Sequence, residues 1–449
     1  MEDAPADGAD QRVAGEPSFV HPEDPDALRD EPQRREPAGG WWAHAAVLDG
    51  IDAVALFDQD FTSLRSVPRS CQAAFGDIMD EVARRMLGPD PAEATRAAKL
   101  WLLLPRLLLS APRGVGATTP VHKQAAVRTL VAGRLRRFHD GAWLALLRES
   151  APERSRPVAQ DRASSEEDAV RAANEAVRLV RLNQQSRALA RLLSRGQAPR
   201  TAETARAAQA VVSLDRPLEP HPPGVGLEWR RPGRPALLLD RRILRRRLRA
   251  AKKGSSPGPS GWRYEFLQLF LRTQHSVAAF AELAEAFANG RAPPVLVDGL
   301  AISAMSALCK PAGGVRPIAA PDCLRRVVTS TVCAQFKDRF RDYLGDQQFA
   351  VGHPAATERL ARSAQVLAES MGLAIGKLDG RSAFNSQFRA VAFAELEQAC
   401  PEVVPLLAQL YDRRSTYVMR VDGADPCRVC ADHGWDQGDP FGPVGFALG

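Results

Sequence analysis

Thirteen consecutive residues, Arg241–Lys253, include eight bases: Arg241, Arg242, Arg245, Arg246, Arg247, Arg249, Lys252 and Lys253. They divide the chain into two stretches of different character. Charge follows the same division. Residues 1–40 carry 11 acidic and 4 basic side chains, residues 41–253 carry 37 basic and 22 acidic, and residues 254–449 carry 19 basic and 20 acidic. The formal charge of +7 therefore conceals a middle region of net +15 between an acidic tail and a nearly neutral C-terminal half. A strongly basic region of this kind implies a polyanionic partner, most often nucleic acid. The run itself has three readings: a solvated helix face, a nuclear-targeting signal, or a nucleic-acid contact.

The first stretch reads as helical. Residues 1–40 combine acid, Pro and Gly with few large apolar side chains, and are expected to be a disordered acidic tail. Order begins at Trp41-Trp42. The spacing Phe75, Ile78, Met79, Val82, Met86 predicts a helix from Cys71 to Met86. Leu100–Leu109 reads as a buried apolar turn or helix, and its interruption by Pro105 and Arg106 excludes a membrane span. Helical patterns follow at Val121–Leu147 and Ala169–Leu193, the second bearing Arg171, Arg178, Arg181, Arg187 and Arg191, with a Pro-, Ser- and Arg-rich linker at 150–165. The expected organisation is thus a basic helical extension over 41–215 and a Pro-rich linker with the basic segment over 216–253. Seven scattered Cys in 449 residues suit a reducing compartment rather than a disulfide framework. The acidic start Met1-Glu2-Asp3-Ala4-Pro5 is unlike a secretory signal. The expected location is intracellular, nuclear and cytoplasmic, with no membrane partner.

From Gly254 onward the pattern is α+β. Trp262, Phe266 and Phe270 share a helical face, as do Leu324, Val328, Val332, Phe336, Phe340 and Leu344, which end at Gly345. Leu373–Asp379 reads as a short buried strand carrying a terminal carboxylate. Pro401 sits at the start of a helix whose apolar stripe is Val403, Leu406, Leu407 and Leu410. Residues 415–430 predict a β-hairpin turning near Asp422-Gly423.

Five segments stand in order within this half: Ser255-Ser256-Pro257-Gly258-Pro259-Ser260-Gly261, Lys310-Pro311-Ala312-Gly313-Gly314-Val315-Arg316-Pro317-Ile318, Gln348-Phe349-Ala350-Val351-Gly352, Lys377-Leu378-Asp379-Gly380-Arg381-Ser382-Ala383-Phe384-Asn385, and Gln437-Gly438-Asp439-Pro440-Phe441-Gly442-Pro443. Together they resemble the fingers and palm of reverse transcriptases from non-LTR (LINE-type) retrotransposons. The resemblance covers 254–449 and implies an α+β right-hand polymerase: a helical N-terminal extension, then fingers and an incomplete palm. It implies an RNA template, a DNA primer or target, dNTP substrates and Mg2+. By the same resemblance Asp379 is the first metal-binding aspartate, Lys310 and Arg316 hold the dNTP triphosphate, Phe384 packs under the sugar and excludes a 2′-hydroxyl, and Gln437 contacts sugar or base. The basic run Arg241–Lys253, just before the fingers, becomes a contact to template RNA or target DNA.

Each residue also has a plainer reading. Taken without the other motifs, Asp379 reads as a helix cap, Phe384 as a core side chain, and Lys310 with Arg316 as a solvated pair on a hairpin whose turn is Gly313-Gly314. Asp439 suits a helix cap better than a metal ligand. Cys427, Cys430 and His433 offer three zinc ligands and no well-spaced fourth, which favours incidental thiols in a hairpin. Several positions depart from the family pattern: Ser260 and Ser382 stand where Asp and Asn are common, and Asp436 sets a negative charge near the expected phosphate path. The family's second metal-binding pair, an aromatic-x-Asp-Asp hairpin, and its thumb are not found, and one carboxylate cannot hold two magnesium ions in in-line geometry. The expectation is a polymerase fragment that does not itself polymerise. Its rivals are a catalytically dead nucleic-acid-binding protein derived from such an element, and a helical scaffold whose basic face takes an acidic protein.

Overall fold

The computed structural model describes residues 40–111, 121–150, 165–181, 185–193, 196–213, 233–310, 313–376, 378, 380 and 382–449. Residues 1–39 of the expected acidic tail and 151–164 of the expected linker lie outside these, as do 214–215 at the end of the extension and 216–232 of the Pro-rich linker. The architecture is mixed α+β, with helices around one four-stranded sheet.

The main core is built on helix Pro91–Leu109, which starts at the Asp90 cap and runs on through Pro105. Its leucines from 100 to 109 and Trp101 are buried. Proline removes one backbone donor and collides with the carbonyl four residues earlier, here that of Trp101. That carbonyl instead accepts the indole N–H of Trp262 at 2.9 Å. Helix Gln72–Met86 buries Phe75, Ile78, Met79, Val82 and Met86 as the spacing predicts. The pattern read as one helix over Val121–Leu147 is two, Val121–His139 and Trp143–Ser150, because the chain turns at Gly141 with φ +77°. The indole of Trp143 closes the turn on the Phe138 carbonyl at 2.8 Å. Ala169–Leu193 likewise divides, into Ser165–Arg181 and Gln185–Leu193. Ala176 and Ala188 are buried there, and Glu175 pairs with Arg191 at 2.7 Å.

Residues of both halves share one core, which runs from Trp41 to Leu448 and includes Trp101, Trp262, Phe266 and Phe270. Residues 233–253 lie against it. Leu237 and Leu239 are buried, with their N–H groups donating to Asn289 and Glu285 at 2.7 and 3.2 Å. Helix Arg241–Ala250 is capped by Asp240 and docks through Leu244 and Leu248.

The sheet comprises β1 (Ser303–Cys309), β2 (Val315–Ala320), β3 (Ser415–Met419) and β4 (Cys427–Ala431) in the order β2-β1-β3-β4. β1 pairs antiparallel with β2 and parallel with β3, and β3–β4 is the hairpin expected at 415–430. Met305, Ala307, Ala319, Tyr417, Met419, Val429 and Ala431 form a second core with Ala205, Ala208 and Val212 of helix Ala202–Val212. Gln209 from that helix bonds both the N–H and the C=O of Cys430, at 2.9 and 2.8 Å, and so occupies the β4 edge.

One element is corrected. The described residues of the strand read at Leu373–Asp379 are not in a strand, and Leu373, Ile375 and Leu378 are 49, 58 and 100% exposed. A strand needs a free ladder. Neither edge strand, β2 nor β4, pairs with it, and β1 is taken on both sides. The preceding helix, Ala356–Met371, buries none of its residues. The helical face read over 324–344 is carried by two helices, Cys323–Gln335 and Lys337–Leu344, the second ending at Gly345 with φ +74°. Among the described residues no helix is long and apolar enough to cross a membrane.

Candidate functional site

The loop Gln437–Pro440 is held by a buried ionic network. Arg325, on helix Cys323–Gln335, sits 3.0 Å from Asp436 and 2.7 Å from Asp439. It also donates to the Tyr411 hydroxyl at 2.8 Å and to the Leu300 carbonyl at 3.3 Å. Burial alone would lower its pKa, but Tyr411, Asp439 and Asp436 outweigh burial and raise it, so the guanidinium stays charged. Asp436 further accepts from Tyr417 and Ser303 at 2.8 and 3.0 Å. The negative charge expected near a phosphate path is thus buried and neutralised by Arg325. Asp439 accepts the Phe441 N–H at 3.0 Å, a capping role just before helix Gly442–Leu448. Gly438 is required here: a Cβ would collide with the Ala319 carbonyl of β2.

The segment around Phe384 meets this loop. Ser382 has φ +51° and leads into the short helix Ala383–Ser386. The Trp435 N–H donates to the Phe384 carbonyl at 2.9 Å. Gln437, exposed, donates to Asn385 at 3.4 Å. The half-buried Phe384 ring stacks on Phe446 at 4.9 Å and 12°. Asn385, Gln437 and the end of β2 are therefore neighbours, though 385 and 437 are 52 residues apart.

Lys310 and Arg316 flank the turn of the β1–β2 hairpin. Gly313 and Gly314 have φ +90° and +80°, and the Lys310 N–H donates to the Gly314 carbonyl at 3.0 Å. Arg316, opposite Leu308, is exposed and Lys310 half-exposed. Arg316 is three residues from Ala319, where Gly438 packs, roughly 10 Å along the strand. Asp379 lies outside the described residues, as do Lys377 and Arg381. Among the described residues no group of His, Cys, Asp or Glu could hold a metal ion, and the carboxylates at 436 and 439 are tied to Arg325. The described residues thus do not fit a magnesium site. Cys427 and Cys430 are free thiols, and with His433 they form no metal-holding group among the described residues.

The Ser255–Gly261 segment is a wall rather than a tip. Ser260 donates to the buried Asp322, the cap of helix Cys323–Gln335, and Gly258 packs on the Asp322 backbone. An Asp at 260 would face a second buried carboxylate, which Ser avoids. Burial raises the Asp322 pKa, against the Ser260 and Leu324 hydrogen bonds. In the Gln348–Gly352 segment Val351 is buried and Gly352 packs on helix Lys337–Leu344. Of the basic run, Arg241, Arg242, Arg246, Arg247, Arg249, Lys252 and Lys253 are exposed and Arg245 is half-buried.

Arg325 and Asp322 escaped the sequence reading. The available signal was an arginine beside Leu324 on an apolar helix face, and it resembles any basic surface doublet until its partners 111 and 114 residues away are known. The sequence matches no protein-family model and no curated protein.

Proposed function

We propose that the chain carries fingers and part of the palm of an RNA-directed DNA polymerase of the non-LTR retrotransposon type, binding an RNA template with a DNA primer and a dNTP. The observation that supports this reading is the meeting of Asn385 and Gln437, from two of the five ordered motifs, with Gly438 against Ala319, one residue beyond a third. In this reading Lys310 and Arg316 take the triphosphate, with Arg316 suited to bidentate phosphate contact. Gln437 takes the sugar or base, and Phe384, braced by Phe446, limits the room beneath the sugar. The exposed bases of Arg241–Lys253 take template or target strand phosphates. Mg2+ belongs to the family chemistry through Asp379, and no step is assigned to it.

The test is fluorescence anisotropy on a primed RNA template with matched or mismatched dNTP. The template-matched dNTP should tighten the complex, and Lys310→Ala with Arg316→Ala should abolish that discrimination while leaving duplex binding intact. Replacing Arg241, Arg242, Arg246 and Arg247 by Gln should flatten the salt dependence. Equal affinity with matched and mismatched dNTP would overturn the polymerase reading and leave a nucleic-acid-binding protein.

A further inference from the structure

β3 ends at Met419, and beyond it the segment Gly196–Ala198 continues alongside β1: Ala198 N–H donates to the Ala307 carbonyl at 2.8 Å, and Cys309 N–H to the Gly196 carbonyl at 3.2 Å. At this junction lies a cavity of about 170 Å3, walled by Phe57, Gln59 and Phe61–Ser63, the Ser256–Gly261 loop, β1 and the end of β3. Among the described residues its lining includes Arg200, Arg263 and Arg420 and no carboxylate. The Asp422 N–H bonds the Arg200 carbonyl at 2.8 Å and so holds the two outer arginines' segments together. The glycine-proline loop supplies a wall with little side-chain bulk. At Gly261, φ is +83° and the Phe61 ring occupies the place of a Cβ.

The arginines are under-compensated. Arg263 donates to the Ser63 hydroxyl at 3.0 Å and otherwise only to neutral carbonyls at 3.4 and 3.5 Å. Arg420 meets Asp60 at 3.0 Å and donates to the Phe61 carbonyl and, at 3.4 Å, to Thr62. Behind the Phe61 ring Arg106 lies 4.8 Å from its centroid and donates to Leu56 and Gln59 oxygens, which are neutral. Arg200 is exposed. Burial lowers Arg263 and Arg420 and pushes Arg106 down to about 10, and neighbouring arginines add to each shift. Asp60 and Glu265 are the carboxylates that oppose them.

We propose that this cavity binds a phosphate group, clamped by Arg200, Arg263 and Arg420 against the Ser256–Gly261 loop. The volume decides the ligand's reach. It is well below the roughly 300 Å3 at which drug-sized pockets begin, so it takes one tetrahedral oxyanion and leaves the rest of the ligand outside. Guanidinium forks suit that geometry. The site uses none of Lys310, Arg316, Phe384 or Gln437, and stands whether or not the polymerase reading does. The same phosphate chemistry comes from a free phosphate, a nucleotide or a nucleic-acid strand.

The test is titration of the full chain with inorganic phosphate, a nucleoside triphosphate, and one oligonucleotide with a 5′-phosphate or a 5′-hydroxyl, read by calorimetry and thermal shift. At least one of these should bind wild type and weaken about tenfold or more in Arg200→Gln, a variant of an exposed side chain chosen to preserve the fold. Arg263→Gln should do the same, with near-ultraviolet circular dichroism reporting its packing. Phosphate stabilises folded proteins non-specifically at high concentration, so the readout is the difference between wild type and variant. The tightest arm names the source: the 5′-phosphate over the 5′-hydroxyl strand for a strand end, equality of the two for internal phosphates, and the small anions for a free ligand. Absence of binding in every arm, or affinities unchanged in Arg200→Gln, would overturn the proposal.

Discussion

The indole N–H of Trp262 donates to the carbonyl of Trp101 at 2.9 Å, and the two rings stack with centroids 4.4 Å apart. The carbonyl is free for this bond because Pro105, four residues on, has no N–H to offer. One side chain from the C-terminal half therefore compensates a proline inside the central helix of the N-terminal half.

Trp262→Phe should destabilise the chain by about 1–3 kcal/mol, the cost of a buried acceptor left unpaired. Pro105→Ala restores a local donor, so in that background the same substitution should cost less. Urea unfolding of the four proteins in this cycle measures the coupling, and simple additivity would show that the proline and the indole act independently.

This pair also explains what the sequence concealed. Leu100–Leu109 reads as a turn or a helix because proline inside a helix costs about 3 kcal/mol, and the compensation comes from 161 residues away. The Phe75–Met86 helix and the β3–β4 hairpin were legible because local spacing and turn chemistry set them. The strand read at Leu373–Asp379 failed for a non-local reason: the run has strand-like side chains, but no described ladder receives it. Within the candidate site, Gln437, Asn385 and the Gly-Gly hairpin were visible as motifs. Arg325, which holds the loop, was not, since a buried and an exposed arginine look alike in one dimension.

Arg325→Ala should cost about 3–5 kcal/mol, because it leaves the carboxylates at 436 and 439 enclosed without their cation. Adding Asp436→Asn and Asp439→Asn should recover part of that loss. Denaturant midpoints of the single and triple variants are the measurement.

Gly438→Ala places a methyl group against the Ala319 carbonyl, which is backbone and cannot swing aside. A destabilisation of about 1–3 kcal/mol is expected, together with a changed emission from Trp435, three residues away. An unaltered spectrum and melting temperature would mean that the loop rides clear of β2.

Asp80 gives a pH signature. Burial raises its pKa above the ordinary 3.8, opposed by the Ser276 hydrogen bond and by Arg272 and His275, with Asp77 adding to the rise. The folded chain thus holds this proton more tightly than the unfolded one. Its contribution is fully present below pH 3.8 and is lost as pH rises through the folded value. Asp80→Asn, which keeps an acceptor for Ser276, should be more stable than wild type at pH 7, the difference shrinking toward pH 3. Paired urea titrations across that range would show it.

Helix Ala356–Met371 carries a dynamic consequence. Left-handed residues stand at both its ends, Ala355 at φ +51° and Gly372 at φ +63°, and none of its 16 residues is buried. That length is close to the point at which isolated helices are marginal in water. Its amides should exchange with solvent as one local unit within the native state, whereas those of helix Pro91–Leu109 should exchange only when the whole core opens. The chain then unfolds in two steps of very different size, and calorimetry, which weighs buried surface, would register only the second.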